Sequence, residues 1–188
     1  AYGDNVSMDF SKSIIDVGEI ENTPENFRIT NTQGQIVTDR YEVTKVVGTL
    51  KITKRHLIIY PSGASKVYDG TPLSCAAYDQ NRIEGDGLAG KDYISQVTAL
   101  NSITTVAESE SENTEVNHNQ IDIRISDPNR KDADGKDLDV THDYNIIYYR
   151  DDSKLTITPR PITVTSEGAN KVYDGTPLEN NGFSVDSF

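Results

Sequence analysis

Apolar and polar residues alternate in short runs along most of this chain, which is the pattern of half-buried β-strands. The runs are separated by Gly, Asn, Asp and Pro, which favour turns. Strands are predicted where the alternation is clearest, at residues 41–43, 49–53, 57–59, 121–125, 144–149 and 154–165. Helical spacing is scarce, and only residues 81–100 leave room for a short helix. The pattern therefore predicts a mainly all-β chain.

An eight-residue sequence, Lys-Val-Tyr-Asp-Gly-Thr-Pro-Leu, occurs at residues 66–73 and again, 105 positions later, at 171–178. The apolar pair Leu50 and Ile52 recurs at the same distance, as Leu155 and Ile157. A period near 100 residues is the size of a small domain and exceeds that of a solenoid repeat. The chain is predicted to be a tandem array of β-modules.

Upstream of these matching segments, the repeats align at offsets smaller than 105 residues. Shrinking offsets are expected when two repeats share the same strands but differ in the length of their loops. The matched residues are Val37, Thr38 and Tyr41 with Val140, Thr141 and Tyr144; Arg28 and Ile29 with Arg124 and Ile125; Ser13, Ile14 and Val17 with Ser102, Ile103 and Val106. The larger insertions, at 109–117 and 127–136, are polar and are predicted to be surface loops. Residues 1–54 are then the C-terminal part of a first repeat, 55–158 a complete second repeat, and 159–188 the N-terminal part of a third. The segment is expected to be cut from a longer protein.

Many short strands with frequent turns favour tandem β-sandwich-like modules, and β-grasp-like modules are the competing topology. Each module has room for one short helix. The junction at residues 158–161 contains two prolines, which stiffen an extended chain. At both junctions strand follows strand without a Gly/Ser-rich spacer. An elongated, semi-rigid array is expected.

Every position of the octapeptide has a structural task. Asp69 and Gly70 form a turn dipeptide, and Pro72 holds the residue before it extended. Val67, Tyr68 and Leu73 are expected to be buried. No nucleophile–base pair is present, so the motif is interpreted as structural. Its predicted structural residues are Lys66, Tyr68, Asp69, Gly70, Pro72, Lys171, Tyr173, Asp174, Gly175 and Pro177.

The net charge of −12, from 30 acidic and 18 basic residues, argues against binding to nucleic acid or to an anionic membrane. No apolar run approaches 18 residues, so no membrane insertion is expected in this segment. The single cysteine, Cys75, excludes a disulfide within one chain and is predicted to be a small core residue.

The histidines, His56, His118 and His142, lie in unrelated contexts without metal-ligand spacing. No catalytic constellation is found, so no enzyme and no catalytic residue is predicted. Acidic residues do crowd into 127–139, and Ca²⁺ prefers six to eight oxygen ligands. The candidate calcium ligands are Asp127, Asn129, Asp132, Asp134 and Asp137. A solvated acidic loop is the alternative, because the matching loop of the first repeat, 31–39, is almost free of acids.

The octapeptide resembles the YDG and MBG-type repeat modules of large bacterial surface adhesins. In that family a Gly-x-Leu-x-Ile strand ends one module and an Arg-x-Ile-x-Val strand opens the next; residues 48–52 and 160–164 fit, whereas Ser153 replaces the glycine before the second ending strand. The resemblance implies a bacterial cell-surface location and extracellular, non-catalytic repeats that contact neighbouring modules of the same chain. A structural stalk is thus expected. The alternative is a binding module whose loops recognise a glycan or a host or partner-cell protein.

Overall fold

The structure, a computed structural model, describes residues 3–186. Its regular secondary structure is mostly β-strand: 45% of the residues are in strands and 8% are in helices. The prediction of a mainly β chain is confirmed. The elements in chain order are β1 (Asn5–Asp9), β2 (Gly18–Asn22), β3 (Glu25–Thr30), β4 (Gly48–Ile52), β5 (Arg55–Pro61), β6 (Ala64–Val67), β7 (Tyr78–Gly85), β8 (Tyr93–Ala99), α1 (Val106–Ser109), α2 (Thr114–Asn117), β9 (Ile121–Lys131), β10 (Asp137–Asp139), β11 (Tyr144–Tyr148), β12 (Leu155–Thr158), β13 (Thr163–Ser166) and β14 (Phe183–Asp186).

Residue contacts divide the chain into two compact units. The first contains the chain up to Tyr60, Tyr78–Thr98 and Asp122–Tyr149, and the second contains Pro61–Ala77, Ala99–Ile121 and the chain from Arg150 onward. Each unit thus takes part of residues 55–158. The repeat boundaries 1–54, 55–158 and 159–188 describe sequence similarity, and they remain a prediction as domain boundaries.

The first unit is built from small sheets. β1 pairs with β3 and β2 with β4, both antiparallel, and β9 lies between β8 and β10. A third sheet has the order β11-β5-β7, and β5 and β11 run parallel with Arg55 opposite Tyr144. The buried apolar side chains of this unit include Ile29, Val37, Leu57, Ile59, Ile125 and Val140.

In the second unit β6 pairs in parallel with β12, and β13 pairs antiparallel with β14. Its core is a cluster of Ile103, Leu155 and Ile157, each 0–1% exposed. Leu73 and Cys75, which were predicted to be buried, pack against that cluster but are only partly buried. Both α-helices are single turns, and within residues 3–186 no helix has the length and apolarity to cross a membrane.

The sequence repeat is also a repeat of hydrogen bonds. The Thr38 hydroxyl accepts the N–H of Ile29 at 2.8 Å, and the Thr141 hydroxyl accepts the N–H of Ile125 at 2.8 Å. Each threonine begins a 3-10 turn, Thr38–Arg40 or Thr141–Asp143. The residue before each threonine, Val37 or Val140, donates its N–H to the carbonyl of the same isoleucine at 2.8 and 2.9 Å. The alignment at different offsets therefore matches positions with the same bonds.

Three predictions of local structure were wrong. Residues 41–43 are not a strand, because the 3-10 turn at Thr38–Arg40 is followed by irregular chain. Residues 81–100 contain no helix but the strands β7 and β8. The two helical turns are Val106–Ser109, which lies mostly before the loop predicted at 109–117, and Thr114–Asn117, which lies inside that predicted loop. Thr105 caps α1 with its hydroxyl, and Asn113 caps α2 with its side-chain oxygen, and these caps hold the helical turns.

Two further expectations need correction. The predicted loop at 127–136 is partly strand, because β9 continues to Lys131 beside β10. Val67 and Tyr68 are not buried: they are 51% and 42% exposed. Strand follows strand closely at the first junction, since β4 ends at Ile52 and β5 begins at Arg55.

Replacing either threonine of the repeated turn by valine is expected to destabilise the protein by about 1–3 kcal/mol. The valine methyl cannot accept a hydrogen bond, so the N–H of Ile29 or Ile125 loses its acceptor. Urea unfolding of Thr38→Val and Thr141→Val measures the loss. The matched controls, Thr38→Ser and Thr141→Ser, keep the hydroxyl; equal stability of the Val and Ser variants would contradict the assignment.

Candidate functional site

The first octapeptide closes on itself through the side chains of Lys66, Asp69 and Thr71. The Lys66 ammonium donates to Asp69 Oδ1 at 2.7 Å and to the hydroxyl and carbonyl oxygens of Thr71 at 2.7 and 2.6 Å. Asp69 Oδ1 also accepts the N–H and the hydroxyl of Thr71, at 2.9 and 2.8 Å. Gly70 lies inside this ring at φ 81°, in the left-handed region that favours glycine.

The second octapeptide forms the same ring. Lys171 donates to Asp174 Oδ1 at 2.8 Å and to the Thr176 hydroxyl at 2.6 Å. Asp174 Oδ1 accepts the N–H and hydroxyl of Thr176 at 3.0 and 2.8 Å, and Gly175 has φ 78°. Lys66 and Lys171 also reach the carbonyls of the prolines, Pro72 and Pro177, at 3.3 and 3.1 Å.

The two rings lie in different surroundings. Leu73 exchanges two backbone hydrogen bonds with Ile103, at 2.7 and 3.0 Å, beside the buried cluster. Its equivalent Leu178 is 50% exposed. Tyr68 is 42% exposed and Tyr173 is 93% exposed. The ring therefore forms from local bonds and does not require a particular packing environment.

The charges of the ring neutralise each other. Hydrogen bonds lower the pKa of Asp69 well below its ordinary value. The bond from the Lys66 ammonium has the largest effect, and the bonds from the N–H and hydroxyl of Thr71 add to it. Lys171 and Thr176 lower the pKa of Asp174 in the same way. A carboxylate held ionised by three donors is a poor general base at neutral pH. The ring fixes a backbone turn and supplies no reactive group.

Three of the five predicted calcium ligands, Asp127, Asp132 and Asp137, accept hydrogen bonds from protein donors. Asp127 Oδ1 accepts the N–H of Asn129 at 2.8 Å, and its Oδ2 accepts from Arg130 at 2.9 Å. Asp137 binds the Lys131 ammonium and accepts the Tyr93 hydroxyl at 2.8 Å. The N–H of Asn129 and the Arg130 guanidinium lower the pKa of Asp127, and the Lys131 ammonium and the Tyr93 hydroxyl lower that of Asp137.

Asp132 and Asp134 lie in a turn that the first repeat builds without acids. Asp132 Oδ1 accepts the N–H groups of Asp134 and Lys136, both at 2.9 Å. At the matching turn, the amide oxygen of Asn31 accepts the N–H groups of Gln33 and Gln35, at 3.0 and 2.9 Å. A carboxylate and an amide oxygen thus do the same task, which is to satisfy two N–H groups at the tip of a hairpin.

A charged cluster that the sequence did not indicate lies in the first unit around Arg130. The guanidinium donates to Asp16 Oδ1 at 2.5 Å as well as to Asp127, and it lies 4.0 Å from Asp143. Asp143 Oδ1 accepts the N–H of Val17 at 2.6 Å. The bond from Arg130 lowers the pKa of Asp16 and raises that of Arg130.

Asp16, Asp143 and His142 also form a group whose ligand atoms lie within 4.8 Å of one another. The Arg130 guanidinium already supplies a positive charge to both carboxylates of this group. Asp16 and Arg130 lie 114 residues apart and follow no repeat offset, so no sequence pattern could have paired them.

Asp127, Arg130 and Asp143 of this cluster line an open cavity of about 390 Å³. Tyr144 also lines the cavity, and its hydroxyl donates to Asp92 at 2.6 Å and accepts the N–H of Ala89 at 2.9 Å. Burial, aided by the bond to Asp92, raises the pKa of Tyr144 to about 12. In the first repeat the equivalent Tyr41 donates to Asp4 at 2.6 Å. The tyrosine–aspartate bond is thus another repeated structural contact.

An ordinary aspartate titrates near pH 4. We expect ¹³C carboxyl NMR to show Asp69 and Asp174 titrating at a lower pH than that. Lys66→Met should raise the pKa of Asp69 and leave that of Asp174 unchanged, and Lys171→Met should do the reverse. Because the folded-state pKa values are lowered, each ring stabilises the fold above pH 4, and this contribution is lost as the pH falls through the folded-state pKa. Unchanged titration of Asp69 in Lys66→Met would refute the ring.

If the role of Asp132 is to accept the two N–H groups of the hairpin turn, Asp132→Asn should leave the midpoint of thermal unfolding unchanged. The amide oxygen of Asn31 accepts two N–H groups in the same way in the first repeat. Asp132→Ala should lower the midpoint. Neither calcium nor a chelator should shift the midpoint of the unaltered chain. Calcium binding by the acidic loop predicts the opposite, namely a midpoint that rises with calcium and loses that rise in Asp132→Asn.

The residues described here are rich in turn-forming and strand-pairing contacts that recur between repeats. Comparison with known protein families, with curated proteins and with solved structures found no match for this chain.

Proposed function

We propose that this chain is a non-catalytic structural segment of a bacterial cell-surface adhesin, a stalk of repeated β-modules that holds a binding region away from the cell. The observation that carries the proposal is the Lys–Asp–Thr ring, which recurs with bond lengths within a few tenths of an ångström in two different surroundings. Its polar groups bind each other, so the identical sequence serves backbone geometry. The resemblance of the octapeptide to YDG and MBG-type modules supports the extracellular location.

The topology of the second repeat supports a β-grasp-like module over an antiparallel sandwich. Its first strand, β5, runs parallel to β11, and β6 runs parallel to β12. Immunoglobulin-like sandwiches are built from antiparallel sheets. Parallel pairing of early and late strands instead ties the start of a module to its end.

The Arg130 cluster supports stiffness at the first junction. Asp16 and Val17 belong to the first repeat, and Arg130 and Asp143 belong to the second. A guanidinium that binds two carboxylates has a fixed fork geometry, which resists rotation better than a single contact does. Only two residues separate β4 from β5, so the chain has little freedom there.

A ligand-binding module is the second candidate, and the cavity beside Tyr144 is the observation that favours it. Its volume lies in the range of small-molecule sites. Its polar groups are largely bonded to each other, however, as Tyr144 is to Asp92 and Arg130 to Asp127. Selective capture of a glycan or a cell-surface protein, lost in Arg130→Gln, would favour this candidate over the stalk.

Small-angle X-ray scattering of the chain tests the stalk. A compact protein of 188 residues has a radius of gyration of about 16 Å. We expect a monomer with a distinctly larger value, and Asp16→Asn should broaden the distribution of dimensions because it weakens the Arg130 cluster. The matched control is Asp9→Asn, another aspartate of the first repeat outside the cluster. A monomer with a radius near the compact value would contradict the proposal.

A further inference from the structure

The third repeat contains the dipeptide Asn181-Gly182, and no other asparagine of the chain is followed by glycine. In such a pair the backbone nitrogen of the glycine can attack the side-chain amide carbon of the asparagine and close a five-membered ring. Glycine favours this attack because it has no side chain to block the approach and its backbone reaches conformations that other residues rarely adopt. The amide of Asn181 is therefore the one in this chain whose sequence context most favours a spontaneous covalent change.

Position 181 is open to water in two repeats. Asn181 is exposed and lies in irregular chain shortly before β14. At the offset of 105 residues its equivalent in the complete second repeat is Ala76. Ala76 is also exposed, and it also lies in irregular chain shortly before a strand, β7. The exposure of Asn181 therefore belongs to its place in the module.

The backbone around this position makes the same hydrogen bond in both repeats. In the third repeat Glu167 donates its N–H to the carbonyl of Gly182 at 2.9 Å, and at the equivalent place Ser62 donates its N–H to the carbonyl of Ala77 at 3.0 Å. The second repeat has alanine at both positions of the pair, so it has no amide that could react. The difference between the repeats thus lies in the side chains and not in the backbone.

The neighbouring asparagine, Asn180, is held by its surroundings. Its Nδ2 donates to the carbonyls of Glu167 at 3.2 Å and Gly168 at 3.0 Å, and its Oδ1 accepts the N–H of Gly182 at 2.9 Å. Within residues 3–186 the Asn181 side chain has no hydrogen-bond partner. The bond to Asn180 Oδ1 stabilises the N–H of Gly182, whose proton must leave during the attack. Asn180 therefore restrains the glycine nitrogen, while the amide of Asn181 is unrestrained.

We propose that Asn181 is a site of spontaneous deamidation. The Gly182 nitrogen bonds to Asn181 Cγ, the bond from Cγ to Nδ2 breaks, and Nδ2 leaves as ammonia with the proton that the glycine nitrogen gives up. Water then opens the resulting succinimide ring at one of its two carbonyl carbons. Opening at Cγ gives aspartate, and opening at the backbone carbonyl gives isoaspartate, in which the chain runs through the β-carbon. Water is the co-reactant, and the reaction depends only on the local chain, so it is independent of the stalk proposal.

Both products change the start of the third repeat's β-sheet. Each adds a negative charge next to Gly182, where a carboxylate already lies: a Cβ built on Gly182 would be 2.5 Å from Glu167 Oε2. Isoaspartate also adds one atom to the backbone before β14, and the register of a strand depends on regular backbone spacing. The pairing of Ser166 with Phe183 lies next to that insertion. We therefore expect isoaspartate at position 181 to loosen the pairing of β13 with β14 at this end.

Peptide mass spectrometry of the purified chain, incubated at neutral pH and physiological temperature, tests the site. Deamidation raises the mass by about 1 Da, because an NH group is replaced by oxygen. We expect fragmentation of the tryptic peptide that follows Lys171 to locate this gain at residue 181, and the rate to rise with pH. The folded chain should react at no less than about a tenth of the rate of the same chain in urea, because an exposed segment needs no unfolding to react.

Three variants separate the parts of the proposal. Gly182→Ala, which introduces the alanine of the second repeat, should slow the reaction by about tenfold or more, because the methyl group hinders the attack. The end of the flexible Glu167 side chain can move away from that methyl group. Asn181→Ala should abolish the mass gain, and Asn180→Ala should accelerate it, because the N–H of Gly182 then loses its acceptor.

Circular dichroism verifies that each variant keeps its β-structure. The proposal is overturned if residue 181 stays unmodified in the folded chain while the chain in urea reacts, or if Gly182→Ala reacts as fast as the unaltered chain. A slower reaction in Asn180→Ala would overturn the restraining role of Asn180.

Discussion

A β-strand exists only where the backbone N–H and C=O groups along at least one of its edges find partners, and this constraint governs the described chain. Its clearest expression is the parallel pairing of β5 with β11, two strands far apart in sequence. Residues 41–45 and 144–148 occupy equivalent positions after equivalent 3-10 turns. Within residues 3–186, only the second segment pairs with another strand, β5, and only the second segment is a strand. The difference lies in the neighbour and not in the local turn.

The parts of the fold that could be predicted from the sequence are those specified by neighbouring residues. Alternation located β4 and β12, and the Asp-Gly dipeptide with proline two residues later indicated the turn at Gly70. The sequence did not predict that the hydroxyls of Thr38 and Thr141 accept hydrogen bonds. The alignment of the repeats nevertheless matched these two threonines, which make the same hydrogen bond in the structure.

The parts that could not be predicted depend on distant partners. The strand expected at 41–43 lacks the pairing that its equivalent has. Val67 and Tyr68 are apolar enough for a core, yet they are about half exposed. Within the candidate site, the ring members were identified as structural residues from the octapeptide alone. The Asp16–Arg130 contact was not, because charged residues carry no periodic signal and any of many acids could have served.

The hairpin turn at Asp132 shows how negative charge can be added to a repeat without a change in its backbone. Where the first repeat uses the amide of Asn31, the second uses a carboxylate for the same two N–H groups. Such exchanges add negative charge without a change of backbone, and charge of one sign keeps repeated β-edges from indiscriminate aggregation. Drift between repeats thus alters the surface while the turn is retained.

The parallel pairing of β6 with β12 also determines how a module would respond to mechanical tension. β6 lies near the start of the module and β12 at its end, and both run in the same direction. A force that pulls the two chain ends apart draws these strands past each other lengthwise. All of their hydrogen bonds are then loaded in shear at once, whereas an antiparallel hairpin pulled at its open end would unzip one bond at a time.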